Sequence, residues 1–307
     1  MLHTTSRRLA ATVAATALGA GALVAMAAPA ANAATLDTSY TCTFPIVGAQ
    51  PVVVKIDAPL LPPTAPAGLD APALPLSLTA TLNKPVVDLL RNLGYTTVSA
   101  TSTDMKATVV ETGSTTSSAD VLLENVVTVP AAIPAANTGD GSLKVVTPAA
   151  GGTAKSASTA AFNMPDAGSY AINAPASFSL TAIKQDGTQA GGIACALTAG
   201  AKNTIASLTL AKNESATTGK TAKKVTPVGK LAKLKVAVAA DNEIPSGTVK
   251  VLKGKKVLGK GTLNSNGKVS VKLKKTLPVG VTKVTVSYLG DGYTEVSTSK
   301  KVKIKVG

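Results

Sequence analysis

The chain of 307 residues has no tryptophan, one histidine, five tyrosines and three phenylalanines. The histidine is His3, inside an N-terminal segment expected to be removed, so the mature chain is read as having none. Histidine triads, histidine metal sites and imidazole acid–base pairs are thereby excluded after processing. Few aromatic rings also means no stacking platform for single-stranded nucleic acid. Arg91 is the only arginine beyond the first 33 residues, which removes the side chain favoured for reading base edges. Acidic residues are sparse, and nothing suggests the substrate groove that a paired-carboxylate glycosidase requires. The expectation is a non-enzymatic protein with no cofactor and no specific nucleic-acid partner.

Long hydrophobic runs are missing too. Beyond residue 33 no stretch approaches the roughly 18 apolar residues of a membrane span. Before it, Met1–Ala33 has a basic start at Arg7 and Arg8, an Ala/Leu/Val-rich stretch and a small-residue end at Ala31-Asn32-Ala33. That is the pattern of a cleavable secretory signal, with the Sec and twin-arginine routes both open. The mature chain is expected outside the cell, secreted or held to the wall without covalent attachment.

Cysteine occurs twice, at Cys42 and Cys195. In an exported chain the two are expected to pair, and a loop of that length is assigned roughly 5 kcal/mol by the chain-entropy model. Two isolated cysteines without histidine do not complete a zinc site. Calcium is considered at Asp241-Asn242-Glu243 and at Gly290-Asp291-Gly292. Neither has the spacing of a calcium loop, and turn chemistry accounts for both. No metal site is assigned.

What is present is alternation. In Lys268–Lys274, residues Val269, Val271 and Leu273 share one face and Lys268, Lys272 and Lys274 the other. The pattern returns in Lys233–Val238 and Lys301–Val306. Asn264-Ser265-Asn266-Gly267 and Lys253-Gly254-Lys255 carry turn chemistry between such runs, and hairpins are expected at both. Short runs at 52–56 and 121–127, separated by Pro-, Gly-, Ser- and Thr-rich segments, make the first half mostly β as well. One helix is expected at Pro85–Leu93, with proline in its first turn and Gly94 at its end. The Pro-rich stretch Pro59–Gly68 is read as a surface loop with local polyproline character.

The fold class that follows is all-β: two β-sandwich-like domains after a cleaved signal peptide. The expected boundaries are 1–33 for the signal, 34–211 for a disulfide-linked β domain, 212–224 for a flexible linker without apolar periodicity, and 225–307 for the second domain.

Two resemblances bear on this division. Pro245–Val251, Leu258-Gly259, Leu277–Gly280 and Val284–Asp291 together resemble the bacterial immunoglobulin-like repeat of secreted and surface proteins. That family implies a spacer, an adhesion unit or an accessory binding domain. Tyr40–Pro45, Phe162–Gly168 and Gly191–Leu197 resemble a cysteine-paired domain of unknown function from secreted proteins of high-GC Gram-positive bacteria. This second resemblance implies boundaries and an address, and no activity.

Charge is unevenly distributed. Residues 34–211 hold 8 Lys or Arg against 11 Asp or Glu, whereas residues 212–307 hold 21 against 5, a net +16. Two explanations stand: exposed strand faces kept soluble and protected from edge pairing, or a module directed at an anionic partner. On the second, Lys233, Lys235, Lys272, Lys274, Lys303 and Lys305 are the candidate contacts to wall phosphates or acidic polysaccharide. The expected function is a surface or matrix protein whose basic immunoglobulin-like domain tethers or presents the N-terminal domain at anionic wall polymer, with a surface protein as a further partner. The alternative is an accessory carbohydrate-binding protein in which the N-terminal domain recognises neutral sugar and the second domain is a spacer.

Overall fold

Alternating apolar and polar residues become strands almost everywhere they occur, because a strand places successive side chains on opposite faces and one face can then be buried. The structure, a computed structural model, describes residues 34–59, 61–149 and 155–307. The expected signal peptide, 1–33, lies outside the described residues.

The first half contains β1 (Ala34–Phe44), β2 (Gly48–Ala58), β3 (Thr64–Pro66), β4 (Asp70–Ala71), β5 (Pro75–Leu82), α1 (Lys84–Asn92), β6 (Thr97–Ser102), β7 (Lys106–Glu111) and β8 (Ser117–Glu124). It continues with β9 (Val126–Val127), β10 (Ala131–Ala132), β11 (Leu143–Val146), β12 (Ala157–Thr159), β13 (Phe162–Asn163), β14 (Gly168–Asn173), β15 (Ser177–Lys184), β16 (Gln189–Leu197) and β17 (Thr204–Ala211). The second half comprises β18 (Ser215–Thr221), β19 (Lys233–Ala240), β20 (Thr248–Lys253), β21 (Lys256–Thr262), β22 (Lys268–Lys272), β23 (Gly280–Tyr288), β24 (Ser297–Thr298) and β25 (Val302–Val306).

In the N-terminal domain β1 is paired along its whole length with β2 and, on its other edge, with β16. From there the ladder runs one way through β2 and β5 to β11, and the other way through β15 and β6 to β9 and β10. The two ends meet: Val129 N donates to Val146 O at 2.7 Å. The eight-part ring so formed encloses the larger apolar cluster, with Val54, Leu78, Val98, Val145, Phe178 and Ile193 among the inward side chains. A second lobe, β8-β7-β14-β17-β3, joins it through β12, which pairs with both β5 and β8. Its own small core holds Val109, Val121, Met164, Tyr170 and Leu208.

Cys42 and Cys195 are bonded, and they are register partners on β1 and β16. Both sulfur-bearing side chains are buried. The helix also stands where the sequence places it. Asn83 caps it, its side chain accepting from Val86 N at 3.3 Å, proline occupies the first turn, and Gly94 at φ +81 reverses the chain beyond it. The helix lies across one end of the ring, with Leu89, Leu90 and Leu93 against the interior.

The C-terminal domain packs β18-β19-β22 against β21-β20-β23, with β24 and β25 both added to β23. Leu234, Val236, Val251, Val286, Tyr288 and Ile304 fill the space between the sheets. This is the all-β, sandwich-like architecture expected from the alternation, and the immunoglobulin-like one that the resemblance implied.

Three local expectations are corrected. The supposed flexible linker contains β18, which pairs with β19 from Ser215↔Ala240 to Thr221↔Leu234. Its sequence hides this because the inward positions are Thr217 and Gly219, and a side chain at 219 would come within 3.0 Å of Val286. Backbone bonding, and not apolar side chains, specifies that strand. The Pro-rich loop likewise contributes β3, parallel to β17. Lys253–Lys255 does turn a hairpin, since β20 pairs with β21. Asn264–Gly267 instead carries the chain from one sheet to the other, because β21 pairs with β20 whereas β22 pairs with β19. Gly267 is needed there: its φ is +66, and a Cβ would lie 2.6 Å from Val238 O.

Replacing both cysteines by alanine is expected to lower stability by about 2–5 kcal/mol, the usual cost of losing a native disulfide. Equilibrium unfolding in urea of the oxidised protein and the double variant checks this.

Candidate functional site

Five of the six candidate lysines fall on two faces. Lys233, Lys235 and Lys272 project from the outer face of the three-stranded sheet, where Lys233 is register partner of Lys272 and Lys235 of Lys220. Lys268 lies on the same face, level with Ala237. Lys303 and Lys305 project from the opposite sheet, Lys303 directly across from Lys283. Lys274 lies just past β22, where its N–H donates to Leu258 O of the other sheet at 2.8 Å. Lys220, Lys268 and Lys283 were missing from the sequence-derived set. Lys220 was hidden in the supposed linker, while Lys283 alternates visibly with Val284 and Val286.

Two more such pairs, Lys250↔Lys260 and Lys253↔Lys256, occur within the β20–β21 hairpin. Like charges directly opposite one another on a sheet repel. Among the described residues the ion pairs are Lys55–Asp57, Lys84–Asp88 and Arg91–Asp88, all in the N-terminal domain. The five lysine pairs therefore have no carboxylate bridging them, and their mutual repulsion is left to water and salt. On the three-stranded face, Lys220, Lys235 and Lys268 line a shallow cleft of 580 Å³ together with Thr218, Asn264 and Ser270. All six of these side chains offer hydrogen-bond donors, three of them with full positive charge.

The two halves are joined by hydrogen bonds around Asn213. Its Nδ2 donates to Ala67 O at 2.8 Å and to Tyr293 O at 3.0 Å, and its Oδ1 accepts from Asn242 Nδ2 at 2.7 Å. Ala167 N donates to Gly292 O at 3.0 Å, and the Lys212 ammonium donates to Asp291 O. Asn213 is buried, so without it the buried Ala67 carbonyl would lose a bond that water does not readily replace.

Asp291, weighed above for calcium, is committed to its own loop. Its Oδ2 accepts from Ser246 N and Oγ, at 2.8 and 2.7 Å, and its Oδ1 from Tyr293 N, Thr294 N and Thr294 Oγ1. Burial works against the charged form, but these donors, Ser246 and Thr294 foremost, hold the carboxyl well below the usual carboxylate range. Thr294 Oγ1 in turn lies 2.6 Å from the buried Tyr288 hydroxyl. Among the described residues no cluster of three or more potential metal ligands occurs.

The N-terminal ring encloses a cavity of 270 Å³ lined mainly by apolar side chains, aliphatic ones foremost. The polar residues on its wall are Tyr95, Ser99, Thr128 and Thr147. Two hydroxyls are already engaged, Thr128 Oγ1 accepting from Ala100 N at 2.8 Å and Thr147 Oγ1 from Leu78 N at 2.9 Å. No sequence signal singled this cavity out, because its lining is contributed by eight strands and a helix far apart in the chain.

With that geometry in place the chain can be assigned. It belongs to a family of unknown function (DUF6801), whose profile matches residues 39–206, more than half of its length. Residues 217–307 match the bacterial Ig-like domain (group 3), so the second half is an immunoglobulin-like module. No curated protein matches the chain. Among solved structures, the Yersinia pseudotuberculosis adhesin InvE is similar at 12% identity and a TM-score of 0.29, over 80% of this chain and 57% of that one. The D0-D1 domain of intimin gives 13% identity and 0.21, over 79% and 94%. A β-glucuronidase from Ruminococcus gnavus gives 9% and 0.24, over 88% and 45%. This chain thus spans little more than half of the Yersinia adhesin chain. At such scores these likenesses carry no argument about activity. An immunoglobulin-like module beside a disulfide-bonded β domain fits a surface protein. Among the described residues no helix is long and apolar enough to cross a membrane.

Asn213→Ala is expected to cost about 2–3 kcal/mol, since it leaves a buried partner unsatisfied, and to speed proteolytic cutting near residues 211–215. Limited proteolysis alongside urea unfolding checks both. For Asp291, whose folded pKa is depressed, the stabilisation is present above its unfolded value of about 3.9 and is lost as pH falls through the folded value. Asp291→Asn should therefore be less stable than the parent at neutral pH and show a shallower loss between about pH 4 and pH 2, measured as unfolding midpoint against pH.

Proposed function

We propose that this is a secreted, non-enzymatic surface or matrix protein whose basic immunoglobulin-like domain holds the N-terminal domain at anionic cell-wall polymer. One observation carries the reading: five directly opposed lysine pairs without carboxylate partners, one set of them bordering a donor-rich cleft. A fold that sets like charges against each other gains stability when a polyanion lies along them. Solubility alone needs no such register, since lysines offset along the strands would serve equally well. Phosphate groups suit this surface, because lysine ammonium groups act as point charges and bind phosphate without a fixed bidentate geometry. Tyr293 is the only aromatic among the described residues that is exposed, so a stacking surface for neutral sugar gains no support.

The test is binding of the whole protein to purified cell wall, with and without its anionic polymers, across a salt series. Retention should fall steeply with salt, because exposed charges are screened within about 10 Å at 0.1 M, and should vanish when the polymers are removed. Charge reversal at Lys220, Lys233, Lys235 and Lys272 should abolish retention, whereas reversal at Lys283, Lys303 and Lys305 should weaken it less. Unchanged retention after the first set would sink the tether.

A further inference from the structure

The N-terminal ring is built around space that its own side chains do not fill. A water-sized sphere needs roughly 10–15 Å³ of such volume, so the 270 Å³ lumen has room for many. Water fills a cavity only where each molecule finds two to four polar partners. The lumen offers four polar side chains, and the hydroxyls of Thr128 and Thr147 already accept backbone N–H groups. An empty lumen is no better, because its lining forgoes the dispersion contacts that a close-packed interior makes. The physical demand is for an apolar occupant.

The lumen also has an opening. Ile46 and Leu93 both line it and are both exposed, at 66% and 51%. They mark a mouth between the β1–β2 turn and the end of α1. At the same end of the ring, Lys184 Nζ stands 5.4 Å from the centre of the Tyr95 ring, and Tyr95 is itself part of the wall. Gln185 Nε2 donates to Gly94 O at 3.4 Å, which ties the β15–β16 turn to this rim. Lys184 belongs to none of the ion pairs found among the described residues. An aliphatic lumen, open at one end and with an ammonium group at its rim, has the polarity of an amphiphile: a long apolar tail and an anionic head.

We propose that the N-terminal domain binds a single long acyl chain, its tail in the lumen and its anionic headgroup at the mouth near Lys184. This does not depend on the wall-tethering reading, since it concerns the other domain and a contact made chiefly by apolar side chains. It gives the N-terminal domain a ligand class: free fatty acid or a monoacylated lipid, which share the tail and differ in the head.

The experiment uses the full chain and the fluorescence of cis-parinaric acid, which brightens on leaving water. Competition with palmitate, with a monoacyl phosphatidylglycerol and with hexadecanol separates the head chemistries. Palmitate or the monoacyl lipid should displace the probe and raise the thermal midpoint of the protein. Whichever of the two binds more tightly is the assigned source. Lys184→Ala should weaken the charged ligand about tenfold, roughly 1.4 kcal/mol, and leave hexadecanol unchanged. Two lumen-filling variants on different walls, Ala80→Leu on β5 and Ala100→Leu on β6, should each lose probe binding by tenfold or more while keeping the parent circular dichroism spectrum. If no acyl ligand displaces the probe or shifts the midpoint, the proposal fails. It also fails if both folded variants bind as the parent does, since the ligand would then lie on the surface.

Discussion

Backbone pairing of β1 on both of its edges is the constraint from which the N-terminal domain follows. Its eleven residues are in register with β2 along one edge, while Tyr40 to Thr43 meet β16 along the other. A strand satisfied on both sides is a central strand, and the ladder must continue from it in two directions. Those directions curve under the usual strand twist until Val129 and Val146 join them. The disulfide sits in the β1–β16 step, so the covalent bond and the hydrogen-bonded ladder secure the same link. Everything inside the ring, including the lumen and the helix across its end, depends on this closure. Joining the two ends also covers strand edges there, and exposed edges are a hazard for a β-rich chain.

The second domain solves a different problem. Its interior is well packed by branched aliphatics and Tyr288, while its exterior gathers positive charge on both sheets. Cross-strand register brings the lysines into opposition, so that the same alternation that buries Leu234 and Val236 also aligns Lys233 with Lys272 and Lys235 with Lys220. Core formation and surface charge are thus two consequences of one period-two pattern. The domains then meet through polar contacts, Asn213 above all, so the N-terminal domain is held by hydrogen bonds on a defined base. The exposed charge and the apolar lumen lie in separate domains, so the two features do not share one surface.

Much of the fold was legible in the chain. Alternation at Lys233–Val238, Lys268–Lys274 and Lys301–Val306 marked strands with the correct face inward, because a period of two admits only one buried set. Pro85 and Gly94 bracketed the helix, since each restricts the backbone locally. The pairing of Cys42 with Cys195 followed from their count and the expected export. The misread segments share a different property. In Ser215–Thr221 the inward residues are Thr217 and Gly219, and in Thr64–Pro66 there are only three residues, so neither stretch carries its own hydrophobic signal. At Asn264–Gly267 the turn chemistry was correct, but a turn does not state which neighbours its strands will take.

The chain by itself therefore determined strand periodicity, charge segregation and the two-part organisation, all of which are local or compositional properties. Tertiary structure decided what sequence distance conceals: that five of the six candidate lysines divide between two faces, that Asn213 is a buried junction within a segment read as a linker, and that residues from β1 to β16 surround an apolar space. The reason is physical. Side-chain direction is set within a few residues, but register between strands, the closure of a ring and the volume left inside it depend on how distant segments pack.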